Sequence, residues 1–500
     1  MSVLSRRSAW ICMLAMLAAA SVSPLRAEPP ASEPATASES TMEENGDQTF
    51  RLTVSPAAEP RPALRYRFLV PPVDQIHANA ATFYYKAMVD DPDWLARWDA
   101  DEQVQSWREM PLDKLPIAEI KRRIGPAESN EFNAALKGGA RADYCAWEDP
   151  IRESGVVTLL PQAQKLRSLG RALAIFTRLQ IAERRYQDAI GTLTLSYALS
   201  RHLGHAPSLV QNLVGMAIEN LASEQARALI AGSDSPNLYW ALTELAGQPV
   251  ELRQALSYET RVWEFTIHKL TDLDQRTLSP REALDLFKEL YAAELLMAVG
   301  PAPRHAEWGI ETELAALSSA LAIEPEARAY LLANGVTAAD IDAMPILQRA
   351  MLYRWRQFAE VRDNLFKWFL LPDDENSERA TRLKAIDALV GNVEAGAPFA
   401  EALAPIPNVY NARLHHLREI NLLRAIEALR IHASQHGAWP QSLADVTIVP
   451  VPADPMTEKP FDYSLAAGVA TLSAPRSSPG NHAYPAMRFE LTLRKPAAGK

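Results

Sequence analysis

Cysteine is almost missing from this chain. Two residues, Cys12 and Cys145, stand among 500, which excludes a disulfide-stapled scaffold. Glycine is scarce too, at 20 residues against roughly 7% in an average chain. The motifs built on these two residues are absent: there is no Cys-x-x-Cys pair, no Gly-rich phosphate loop, no Gly-x-Ser-x-Gly elbow and no kinase signature. Long apolar runs are lacking beyond residue 27. The best, Leu295 to Val299 and Phe366 to Leu371, are far shorter than a membrane-spanning helix needs. Positive charge is in deficit, with 51 Lys+Arg against 61 Asp+Glu and a formal net of −10. That argues against sequence-independent nucleic-acid binding, where cations must neutralise phosphates.

What is present begins with an export signal. Arg6 and Arg7 precede a 12-residue apolar run, Ala9 to Ala20, too short to span a bilayer. Leu25-Arg26-Ala27 offers a small residue before a cleavage point, and Ala18-Ala19-Ala20 is the alternative. Residues 1–27 therefore read as a signal peptide. Ser5-Arg6-Arg7 has the form of a twin-arginine signal, but Ser8 and Ala9 come next, where that signal wants bulky apolar residues, so export through Sec is expected. Cys12 lies inside the apolar run and not after a lipobox. Removing the signal takes three arginines from the 51 basic residues and no acid, leaving 48 against 61, a net of −13. The mature protein is expected to be periplasmic or secreted.

Residues 28–62, which open with EPPASEPATASESTMEENGD, are rich in Pro, Ala, Ser, Thr and Glu. They carry few large apolar side chains, too little to offset the entropy of ordering. A disordered tether is expected there. With 48% hydrophobic residues overall, the rest has ample core material. From residue 63 to 409 the pattern is helical, with Ala, Leu, Arg, Glu and Gln dominant and prolines at helix starts and stops. Helices are expected near 73–90, 92–108, 116–123, 128–138, 160–183, 186–203, 208–231, 236–246, 252–275, 280–299, 306–321, 325–333, 337–342, 345–371 and 376–395. Leu166 to Gly204 reads as a helical hairpin, with Ala172, Ile175, Phe176 and Leu179 on one apolar face and Ala189, Leu193 and Tyr197 on the other. Tyr186-Gln187-Asp188-Ala189 resembles the turn of a tetratricopeptide repeat, yet no second copy occurs at that period. The fold class expected is mainly α, an irregular helix-pair stack.

Residues 410–495 change character. Arg413 to His436 reads as one long helix, followed by a Pro-rich run and three short strands, Phe461 to Leu465, Val469 to Leu472 and Tyr484 to Leu493. A small α+β unit with an antiparallel sheet is expected. Within it Ala425-Ile426-Glu427-Ala428-Leu429-Arg430, His436-Gly437-Ala438-Trp439-Pro440, Leu443, Asp454-Pro455, Pro460-Phe461 and Tyr463 resemble the globular head of type II secretion major pseudopilins. The helix here is internal, without the apolar N-terminal stem that polymerises, and Ser473 to Asn481 lacks the acid pair of that family's calcium site. The resemblance therefore implies the fold of the unit, without assembly or calcium. A broader resemblance, carried by Asn79 to Tyr85, Arg201-His202-Leu203-Gly204, Leu209-Val210-Gln211 with Leu213-Val214-Gly215, Pro236 to Leu242 and Leu252 to Leu256, is to a family of exported planctomycete proteins. It implies compartment and architecture, not chemistry.

No catalytic, cofactor-binding or metal-ligating set is assigned. Cys145 has no histidine close in sequence and reads as a small buried residue between Tyr144 and Trp147. His432 and His436 share a helix face at a spacing zinc can use, but Ala433 stands where a zincin has its glutamate. His415-His416 lies over four turns away. His202 and His205 sit at a helix end, where a positive ring complements the dipole. Glu264 and His268, with Glu259, Asp272 and Asp274 nearby, have the spacing to share a proton or to form an ordinary helical charge pair. Tyr239-Trp240, after Ser235 and Asn237 at a helix start, suit a core or a groove. Three functions fit: a non-enzymatic scaffold binding an envelope or secreted protein, a periplasmic glycan or peptide hydrolase using acids of 252–299, and an accessory of a secretion system.

Overall fold

The computed structural model describes residues 38–42, 46–88, 94–124, 130–155, 160–248, 250–299, 309–371, 406–476 and 484–494, together with Ala385 and Ala388. The expected signal peptide, residues 28–37 of the expected tether and most of the helix expected at 376–395 lie outside the described residues.

Helix dominates, as the composition requires. After β1 (Ser38–Met42), β2 (Gln48–Val54) and β3 (Ile76–Asn79) come α1 (Ala80–Ala87), α2 (Trp94–Asp99), α3 (Glu102–Glu109), α4 (Ile117–Ile124) and α5 (Asn130–Arg141). A short strand β4 (Ala142–Tyr144) and turn α6 (Ile151–Ser154) lead into α7 (Pro161–Ala182), α8 (Tyr186–Gly204) and α9 (Leu209–Ile230). Next in the chain are α10 (Tyr239–Ala246), α11 (Arg253–Glu259), α12 (Val262–Thr266), α13 (Pro280–Val299), α14 (Ile310–Ala333), α15 (Ala338–Ala343), α16 (Ile346–Phe366) and the long α17 (Ile406–His436). Strands β5 (Asp462–Ala466), β6 (Val469–Ala474) and β7 (Met487–Leu493) close the chain. The fold is mainly α with a small α+β region.

The expected hairpin of α7 and α8 forms, and α9 packs against both. Glycine is spent where these helices touch. A Cβ on Gly170 would lie 2.6 Å from Ile218 Cγ1, and one on Gly215 would lie 2.7 Å from the Ser200 carbonyl oxygen. Only a bare Cα lets the backbones approach so closely.

The expected tether is wrong for residues 38–42 and 48–54. Phe50, Leu52 and Val54 alternate with polar residues, which is the period of a half-buried strand, and all three are buried. β2 pairs in parallel with β7, from Gln48 opposite Met487 to Val54 opposite Leu493, and the Phe50 and Phe489 rings stack at 4.8 Å. The sheet order is β1-β2-β7-β6-β5. The sheet is consequently mixed, and not the purely antiparallel one expected from the last three strands.

Nor does the boundary at 409/410 divide two cores. Ile406, Val409, Tyr410 and Leu414 of α17 pack with α13, α14 and α16, while Ile420 to Ala433 pack with α8, α9, α10 and the sheet. The Pro-rich run is fastened by Arg418, whose Nε and Nη2 donate to the two Asp454 oxygens at 2.8 and 2.7 Å with both side chains sealed from water.

Three smaller departures have local causes. The start of 73–90 is a strand because Ile76 and Asn79 pair with β4, and the helix begins where Asn79 accepts the Ala81 N–H. The helix expected at 252–275 breaks at Ile267, whose backbone is non-helical (φ −133, ψ 86). Gly155 packs there, so close that a Cβ would meet the Thr266 nitrogen at 2.6 Å. Conversely 306–321 and 325–333 join into one helix through Pro325. That proline is exposed, so water can satisfy the carbonyl it leaves unbonded, while Ala316, Ala320, Ala327 and Leu331 keep one face buried.

Candidate functional site

The parallel ribbon β3–β4, the last turn of α8 and the loop before β3 enclose a cavity of about 310 Å³. Asn79 sets the ribbon: its side chain accepts from Ala146 N–H at 2.9 Å and donates to the Ala146 carbonyl at 3.0 Å. The polar lining is Asp143, Tyr144, Cys145, Arg201, His202 and His205, with Gln75 and Gln254 at the margins, and Leu69, Ala142 and Ala198 supply apolar wall. The structure thus brings Cys145 together with His202 and His205, from which it is distant in sequence.

Their chemistry is not that of a thiol nucleophile. Burial pushes the Cys145 thiol up to about 12, although the Ala81 N–H opposes this, so at neutral pH it is the unreactive thiol. Burial pulls His202 down to about 4, with the Arg201 charge acting in the same sense. The ring is neutral and both nitrogens are engaged. One donates to the Ala142 carbonyl; Nδ1 lies 2.8 Å from Tyr84 Oη and accepts its proton. Trp147 Nε1 donates to the His202 carbonyl at 3.0 Å. His202 is a wall element held by an aromatic cage, with no free nitrogen for a base to use. His205 is also held below its ordinary value, by burial and by Arg201.

No family model, curated protein or solved structure matches this chain. The site must be read from its own residues. Among those described, no three His, Cys, Asp or Glu side chains gather as a metal site, and no helix is long and apolar enough to cross a membrane.

The other candidate residues do not converge. His432 and His436 stack with ring centres 4.3 Å apart. His415 stacks on Tyr484 at 4.8 Å, and burial drives it down to about 3. His416 turns inward from α17 to reach Glu219 of α9 at 3.4 Å. Burial opposes its charge, but the Glu219 and Glu419 carboxylates outweigh that and raise it. Glu264 does not share a proton with His268, because the helix ends between them. Its carboxylate is taken by Arg261 at 2.6 Å and Arg362 at 3.6 Å. Asp272 and Asp274 face Arg276 and Arg356. Tyr239 is buried, and its hydroxyl donates to the Pro450 carbonyl; Trp240 donates to Glu59. These aromatics belong to the core and its margin, and Glu264, Asp272 and Asp274 each face an arginine rather than one another.

Glu259 is the exception in environment. Its Oε1 accepts the Leu209 N–H at 3.3 Å, at the start of α9. Burial pushes it up to about 7, with that N–H opposing. The folded value therefore lies above the ordinary 4.5. The stabilisation is fully present below pH 4.5 and is lost as pH rises through about 7. Glu259→Gln keeps an acceptor and removes the charge. It is expected to melt a few degrees above the parent at pH 8 and level with it at acid pH, in thermal scans by circular dichroism. A pH-independent difference would mean that the carboxyl does not titrate in this window.

Sequence reasoning missed Arg201 as a cavity residue, and missed the pairs Glu219–His416, Arg418–Asp454 and Glu427–Arg430. Each is made by segments distant in the chain or by charges hidden on one helix, and no local signal marks them.

Proposed function

We propose that this chain is an exported, non-enzymatic helical scaffold that docks an apolar helix of a partner protein on the outer face of α14. The observation that carries the reading is a stripe on that helix. Ile310, Leu314, Leu317 and Leu321 are 75, 60, 37 and 62% exposed and succeed one another at intervals of four, three and four, the seam of a helix pair. Among the described side chains beside the stripe, Ala315, Ser318, Ser319 and Ala322 are exposed, small and uncharged, which lets another helix approach closely. The neighbouring face, about a quarter turn round the helix, carries Ala316, Ala320, Ala327 and Leu331 and is already used against the body of the protein. A helix with an apolar stripe beyond its buried face has room for a second neighbour, and no described element covers that stripe.

Export is supported by the arginine pair, the short apolar run and the Leu25-Arg26-Ala27 site. The order of the C-terminal unit, a long helix followed by β5, β6 and β7, supports the resemblance to pseudopilin heads. A role as a polymerising subunit has less support, since α17 is embedded in the body and β2 occupies the outer edge of β7. The hydrolase reading has less support, because Glu264, Asp272 and Asp274 are each held by an arginine and Glu259 accepts the Leu209 N–H.

The test is site-specific photo-crosslinking in the cells that make the protein. A probe at position 317 should give a discrete product with a second protein, and the same probe at exposed Val73 should not. The double change Leu314→Glu and Leu321→Glu should abolish the product while leaving the circular dichroism spectrum unaltered. Equal products at both positions, or none, would overturn the reading; a product of twice the chain mass would replace the partner by a second copy.

A further inference from the structure

We propose that the cavity between β4 and the end of α8 is a binding site for a small monocarboxylic acid with an apolar body, and that Arg201 supplies the counter-charge. Arg201 lines the cavity and is half-buried, yet its side chain makes no hydrogen bond or ion pair with the described residues. Burial works against its charge and the Glu219 and Glu244 carboxylates offset this only in part from a distance, so the guanidinium bears a desolvation cost with no described acceptor against it.

The acids that could satisfy Arg201 are engaged elsewhere. Asp143, the carboxylate in the wall, is held by His77 Nδ1 at 3.0 Å and the Ala78 N–H at 3.3 Å. Glu244 and Glu219 feel the Arg201 charge, but Glu244 bonds Arg67 at 2.9 Å and Glu219 faces His416. The missing partner is therefore an anion from outside. A guanidinium fork matches a carboxylate through two parallel N–H···O bonds.

Charge count and wall chemistry narrow the class. One cation is unpaired, and Arg201 sits in the last turn of α8, where the carbonyl ends add partial negative charge. With the Asp143 carboxylate in the same wall, a single negative charge is the most the site can take; a phosphate dianion would lack donors. Leu69, Ala142, Ala198 and the ring of Tyr144 offer apolar contact to the remainder of the ligand. A volume of about 310 Å³ is at the small end of ligand pockets and suits a body of a single ring or a short branched chain.

The experiment is calorimetric titration of the full mature chain with benzoate, 4-methylpentanoate, benzamide and inorganic phosphate. At least one of the two carboxylates should bind saturably at one site, and benzamide and phosphate should not. Arg201→Met should weaken that binding by roughly tenfold to a hundredfold, the worth of a charged hydrogen-bonded pair. Arg201→Lys, which keeps the charge without the fork, should retain an intermediate affinity. Thermal melting of both variants reports whether they fold, and the exposed rim change Gln254→Ala gives a second variant, expected to lose affinity without loss of stability. Saturable binding unchanged in Arg201→Met, phosphate binding as strong as carboxylate binding, or no binding by either carboxylate would each overturn the assignment. None of these outcomes depends on the α14 stripe.

Discussion

Deleting residues 28–56 is expected to prevent the mature chain from folding. Phe50, Leu52 and Val54 are 6, 1 and 0% exposed, and each buried side chain of this size contributes about 1.5–3 kcal/mol. Their joint loss, roughly 5–9 kcal/mol, is comparable with the whole stability of an ordinary domain, about 5–15 kcal/mol. The deletion also strips β7 of a partner along all seven residues of β2 and leaves an open, apolar sheet edge, which favours aggregation. Gel filtration should show aggregate or an expanded chain. Leu52→Ala isolates the packing contribution and should lower stability by about 2–5 kcal/mol in urea titration. Were this stretch a spacer, the deletion would leave the urea midpoint where it is.

Removing Arg430 should be almost as damaging. Its guanidinium is fully sealed and donates to the Ser55 carbonyl at 2.9 Å, the Ser235 carbonyl at 2.8 Å and both Glu427 oxygens at 2.9 and 3.0 Å. Asn237 completes the cluster by donating to Glu427 as well. One side chain thus joins α17, the exit from β2 and the loop before α10. Arg430→Ala strands a carboxylate in the interior, at an expected cost of about 3–5 kcal/mol. The loss should depend on pH. Burial pushes Glu427 up to about 7 even with Arg430 opposing it, and without the arginine it rises further. Protonation then relieves the stranded charge, so Arg430→Ala should lie nearer the parent at pH 5 than at pH 8. Stability curves at the two values check the sign. Adding Glu427→Met should recover part of the loss, and a double-mutant cycle measures the coupling.

Much of the helical frame was legible because its signals are local. The stretches 160–183, 186–203 and 208–231 emerge as α7, α8 and α9 within a residue or two, since apolar period and proline placement act over a few turns. β2 was not read, although Phe50, Leu52 and Val54 alternate plainly. Its Pro-, Ser- and Glu-rich surroundings dilute the pattern, and its partner lies at the other end of the chain. Glu427 and Arg430 looked like ordinary helix residues; their burial comes from the loop that covers them. Arg201 escaped notice for the same reason. The wall around it comes from residues 69–75, 140–145 and 198–205, and no spacing rule links those segments. The sites weighed from sequence, Glu264 with His268 above all, rested on a helix continuity that the contact with Gly155 removes.

The parallel pairing of β2 with β7 also governs the order of events during synthesis. β2 is made well before β7, with all the helices α1 to α17 between them. At about 5–20 residues per second the early strand waits roughly 20–90 s for its neighbour. Throughout that interval Phe50, Leu52 and Val54 lack the β7 side of their sheet. The β2–β7 pairing can close only after β7 has been made, so the apolar face of β2 has to be kept from its own kind until then.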